Sequence, residues 1–125
     1  MKDNILTVIY VLVGLVFINA GLNKFLNYMP VPEDLPETLV SMSMAMMEIG
    51  WLMPLVAIAE ITGGALFTIK RFRALGAIVL FPVVTGVLII HFTVAPSGLP
   101  IALILSAILI WSMIENREKY LGLIT

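Results

Sequence analysis

The sequence predicts an all-α protein: a transmembrane four-helix bundle with both termini on the cytoplasmic side and a short amphipathic helix on the outer side. Three observations carry this. The chain is 61% hydrophobic and 12% charged, with a mean hydropathy of +1.10, whereas a soluble domain is about half apolar and a quarter charged. Four apolar runs are long enough to be membrane segments. The charges between those runs are strongly asymmetric.

A chain of 125 residues has room for one domain, and residues 1–125 read as a single unit. The net charge of −1 gives no footing for a nucleic-acid partner. With no cysteine, the chain has no disulfide framework, no CxxC redox motif and no thiolate metal site.

The first apolar run covers residues 5–25. Its start, MKDNILTVIYVLVGLVFINA, has the lysine-then-apolar pattern of a signal peptide, but it is expected to stay in place as the first transmembrane helix. After it comes VPEDLPE, with three acids, then LVSMSMAMMEIG. Pro36 with Glu37 marks a helix start, and Leu39, Met42, Met46 and Met47 recur at helical spacing. This segment is expected to lie as an amphipathic helix on the outer surface. Its methionines suit packing on an apolar face; the competing reading is soft thioether ligation of Cu(I).

The second run covers residues 50–69 and the third residues 74–94, with KRFR between them. Pro82, in the third, removes one helical hydrogen bond and should kink the helix. The fourth run, residues 99–114, is short at ~24 Å, so APSGLP before it should dip below the outer surface. Lys2, the KRFR loop, Arg117 and Lys119 fall on one side and the acidic and uncharged loops on the other. By the positive-inside rule both termini are cytoplasmic. Trp51, Trp111 and Tyr120 suit anchoring at the two interfaces. Small residues on every segment, including Gly21, Gly63 and Gly64, predict close helix packing.

The polar residues within the apolar runs are the site candidates: Glu60, Asn19, Asn23, Lys24 and His91. Counting ~1.5 Å per residue from each cytoplasmic end puts Glu60 at ~15 Å, Asn19 at ~21 Å, and Lys24 and His91 at ~26–29 Å. On this count Glu60 and His91 are too far apart to be an acid–base dyad, and Asn19 is the nearer partner for Glu60. A carboxylate inside the membrane costs ~2.5–3.5 kcal/mol on insertion scales. Glu60 is therefore a proton- or ligand-handling candidate; the bland alternative is a neutral carboxyl that pins helices together. Lys24 either binds ligand or snorkels outward, and Glu48 marks the outer boundary of its helix, in reach of Lys24. His91, the only histidine, is either functional or interfacial; alone it makes no metal site, and none is expected.

GLVFINAGLNKF in the first run, AEITGGALFTIKRFRALGAIVL across the second and third, and the late HF resemble the DoxX-like membrane proteins. The most distinctive positions are Gly21 with Lys24, and Glu60 with Gly63 and Gly64. The resemblance implies a four-helix bundle in a bacterial cytoplasmic (inner) membrane. The family takes its name from a subunit of a thiosulfate:quinone oxidoreductase, which implies a quinone-linked redox subunit with other membrane subunits, or a homo-oligomer, as partners. No intrinsic cofactor is expected, and quinone is the candidate ligand. The alternatives are a non-catalytic scaffold subunit and a small proton-coupled transporter. Against the transporter stand the position of the glutamate in the second run and the clear charge bias.

Overall fold

The computed structural model describes residues 2–26, 37–93 and 96–123. These residues form helices and short turns, with no strand among them. Helix α1 is Lys2–Leu26, α2 Glu37–Glu48 and α3 Leu52–Thr68. A 3-10 turn at Lys70–Phe72 leads into α4, Arg73–Thr93, and a second at Pro96–Gly98 leads into α5, Leu99–Glu115. A last short helix, α6, is Arg117–Leu121.

Much of α1 is Ile, Val and Leu, and β-branched residues are mediocre helix formers in water. In lipid the choice is forced, because an unpaired backbone group has no water to bond and a helix satisfies its own. The surface agrees with a lipid solvent. Large apolar side chains such as Leu12, Leu15, Leu55, Ile58, Phe81 and Ile104 lie outside, which a water-soluble surface would not tolerate as a continuous belt. The protein is an integral membrane protein. Helix α1 from Asn4 and the stretch Lys70–Thr93 are each long and apolar enough to cross a membrane. The α2–α3 pair passes the same test only jointly, across a bend of 95°. At 17 residues, α5 is a shorter apolar helix, at the lower limit of what spans a ~30 Å core.

Helix α3 is the centre of the arrangement, with α1 on one flank and α4 on the other, and α5 packs on α4. Consecutive glycines make this possible. Gly63 and Gly64 project about 100° apart, and each admits a different neighbour. A Cβ on Gly64 would stand 2.6 Å from the Gly14 carbonyl oxygen of α1, while one on Gly63 would stand 2.8 Å from Leu80 of α4. On the α4 side, a Cβ on Gly76 would stand 2.5 Å from the Phe67 amide nitrogen. Without Cβ atoms the backbones approach closely, and dispersion replaces the missing hydrophobic drive between helices.

Phe67, Leu80 and Leu109 are fully buried and, with Tyr10, Val13, Phe17, Ala77 and Val84, form one core cluster. Ser106 and Ser112 are buried beside them, each donating to a carbonyl of its own helix at 2.7 Å (Ala102 and Leu109). Their polarity is thereby satisfied locally. Ile69 is extended and ends α3. Arg73 then folds back, its Nε donating to the Phe67 carbonyl at 2.9 Å and its Nη2 to that of Thr68 at 3.4 Å. Those are carbonyls that a helix end leaves unpaired. Tyr120 of α6 donates to the Ala74 carbonyl at 2.8 Å, and burial holds its phenol above the ordinary range.

Helix α2 buries none of its residues. Leu39, Met42 and Met46 are half-buried on one face, whereas Met44 and Met47 are exposed. Pro36 and the rest of VPEDLP lie outside the described residues, as do Val94 and Ala95. Helix α4 continues unbroken through Pro82.

Candidate functional site

The antiparallel register of α1 and α3 decides which polar residues meet. A Cβ on Gly14 would stand 2.7 Å from the Gly64 carbonyl oxygen, and one on Gly21 would stand 2.7 Å from that of Ala57 and 3.3 Å from Glu60 Cβ. Lys24 is three residues beyond Gly21 on the same face, only ~4.5 Å further along the axis. Helical side chains lean toward their own N-terminus. Because the two helices run in opposite directions, Lys24 and Glu60 lean toward each other. The Lys24 Nζ stands 2.5 Å from Glu60 Oε1.

This corrects the depth count, which put Lys24 about 12 Å above Glu60 and made Asn19 its nearer partner. The count set the start of α1 level with the end of α3. In the structure Thr68, at the end of α3, lies against Gly14, so about three turns of α1 extend past α3. Nor does Lys24 lie outward beside Glu48; it reaches inward.

Glu60 is buried, while Lys24 keeps 24% of its side chain exposed. The contact is an ion pair set off the angle of a directed hydrogen bond, and Glu60 Oε1 has no hydrogen-bond partner among the described residues. A charged pair in such a place survives only when both members are present.

The pair forms the polar spot on an otherwise apolar cavity of about 240 Å³. Val16, Phe17 and Ala20 wall it from α1, Val84 and Val87 from α4, and Ala102 and Leu105 from α5. Helices α1 and α5 meet at the other end of the molecule, where the Tyr10 hydroxyl donates to Glu115.

Of the candidates from the sequence, Lys24 and Glu60 are brought together. Asn19, exposed on α1, and Asn23, half-buried, do not line the cavity. His91 lies one turn beyond the lining residue Val87, its Nδ1 donating to the Val87 carbonyl at 2.8 Å. That bond fixes the ring proton on Nδ1, and the ring lies against Gly98. The apolar lining residues were not singled out from sequence; their signal is only that they share a face with Lys24 or Val84.

A second polar group was missed: Arg73, buried at 4% exposure. Its guanidinium lies 4.6 Å from the centre of the Tyr10 ring and 5.9 Å from that of Phe67. The sequence presents Arg73 as one more loop cation in KRFR, and only the tight turn after Ile69 folds it inward. Among the described residues no group of three or more His, Cys, Asp or Glu converges as a metal site.

No curated protein and no solved structure matches this chain. The model of the DoxX family matches residues 5–96, a segment that contains Lys24, Glu60, Gly63, Gly64, Arg73 and His91 and stops before α5. With most of its length inside that match, the chain belongs to the DoxX family.

Proposed function

We propose that the chain is a quinone-binding subunit of a membrane oxidoreductase, with the cavity at Lys24 and Glu60 as the ring site. The observation that carries this is one ion pair on the wall of an otherwise apolar cavity between α1, α4 and α5. A lipid-soluble ring with polar oxygens needs apolar walls and one or two well-placed polar groups. The Lys24 ammonium can donate to a ring oxygen, and Glu60 Oε1, free of a directed hydrogen bond, can accept from a ring hydroxyl. Reduction of a quinone takes two electrons and two protons. This chain's part is to orient the ring and move a proton at Glu60 or Lys24; the electrons come from a partner subunit.

In this reading α1, the α2–α3 unit, α4 and α5 form a transmembrane four-helix bundle in a bacterial inner membrane. Lys70, Arg71, Arg73, Arg117 and Lys119 gather at the end where α1 and α4 begin. The positive-inside rule puts that end in the cytoplasm, and the cavity then lies in the outer half of the bundle.

Titration of a short-chain quinone into the protein in lipid nanodiscs tests the reading. Saturable binding is expected, weakened about tenfold or more in Lys24→Met and Glu60→Gln, as for loss of a charged hydrogen bond. Without saturable binding the proposal fails.

A further inference from the structure

A second cavity, about 210 Å³, opens at the opposite end of the molecule. Its walls are Thr7 and Tyr10 of α1, Lys70 and Arg73 around the start of α4, and Glu115 and Asn116 at the end of α5. Three helix ends converge there, and the groups are of mixed sign.

Arg73 is held in place before any ligand arrives. Its guanidinium is buried, bonded to two carbonyls of α3 and stacked over Tyr10. Lys70 is exposed at the rim. The Glu115 carboxylate accepts from Tyr10. The Asn116 side-chain nitrogen donates to the Ser112 carbonyl at 2.7 Å, which leaves its amide oxygen as an acceptor. The cavity thus presents two cations on one wall and two acceptors on the other.

We propose that this cavity binds the headgroup of a phospholipid. Lys70 and Arg73 take the phosphate, and Glu115 and Asn116 take hydroxyl or ammonium protons at the headgroup's far end. A lipid fits better than a soluble anion because the cavity lies at the end of apolar helices. Leu6 lines it, and Ile5 and Val8 on the same helix end are exposed for acyl chains. Arg71, Arg117 and Lys119 at the same end outnumber Glu118, and basic side chains near a bilayer surface attract anionic headgroups. Phosphatidylglycerol and phosphatidylethanolamine carry headgroup donors; phosphatidylcholine carries none.

The test is native mass spectrometry of the protein released from vesicles with equal parts of these three lipids. One phosphatidylglycerol or phosphatidylethanolamine should stay bound in several-fold excess over phosphatidylcholine. Lys70→Gln, on an exposed residue outside the core, should lower retention about fivefold, the loss for one basic group near a headgroup. Asn116→Leu, which leaves Glu115 as the remaining acceptor, should lower the preference over phosphatidylcholine several-fold. Equal retention of all three lipids overturns the proposal, as does unchanged retention in Lys70→Gln. Release of the lipid by millimolar inorganic phosphate would also overturn it, by marking a soluble-anion site. None of these readouts involves quinone.

Discussion

Gly14 of α1 and Gly64 of α3 meet backbone to backbone. A Cβ on either would stand 2.6–2.7 Å from the other's carbonyl oxygen. Backbone cannot step aside as a side-chain tip can, so this contact sets both the spacing and the register of the two helices. The same register carries Lys24 onto Glu60.

Gly64→Ala is therefore expected to push α1 away from α3 and cost about 1–3 kcal/mol, the usual range for overpacking. The control is Gly86→Ala, where an added Cβ meets nothing within 4 Å and helix propensity favours alanine. Thermal denaturation in detergent should show the first variant melting lower and the second unchanged or slightly higher.

Lys24→Met leaves a buried carboxylate without its cation, which costs about 3–5 kcal/mol when a buried pair is broken. Glu60→Gln should cost less, because Lys24 is partly exposed and its long stem can turn outward. The double variant should recover much of the loss. A double-mutant cycle of melting curves checks this, and additive effects would mean the two groups are not coupled.

Arg73→Ala strips two carbonyls at the end of α3 of their donor and removes the cation from the Tyr10 ring. A loss of about 3 kcal/mol is expected. Arg73→Lys should rescue little, because an ammonium cannot span both carbonyls while stacking on the ring. Comparison of the three melting temperatures decides it.

Gly98 packs so tightly on the His91 ring that a Cβ there would overlap Cδ2 and Nε2. Gly98→Ala should displace the ring and cost about 1–2 kcal/mol. His91→Ala in the same chain should relieve that cost, since the clash is with the imidazole itself. If the second substitution gives no relief, the ring does not pack as described.

The helices were legible in the sequence because lipid leaves few choices: long apolar runs must be helical, and their ends fell within a few residues of residues 5–25, 74–94 and 99–114. The span count was less so, since α2 and α3 are bent by 95° at Gly50 and α5 is short. Lys24 and Glu60 were both visible as misplaced charges, but their pairing was not. It depends on how far one helix slides past the other, and two glycine contacts set that slide rather than a shared membrane boundary. Arg73 was hidden for a similar reason. Composition places a loop arginine in the headgroup layer, and only the turn at Ile69 brings it under Tyr10.

Occupancy of the cavity at Lys24 and Glu60 by a quinone ring is the step on which the proposed function rests. Photo-crosslinking with an azido-quinone in native-lipid nanodiscs, mapped by mass spectrometry, tests it most directly. Label is expected on the stretch from Val16 to Lys24 and on α5 near Ala102 and Leu105, suppressed by excess unlabelled quinone and by Ala20→Leu, which narrows the cavity. Label spread over outward-facing residues such as Leu12, Leu55 and Ile104, and unaffected by Ala20→Leu, would contradict it.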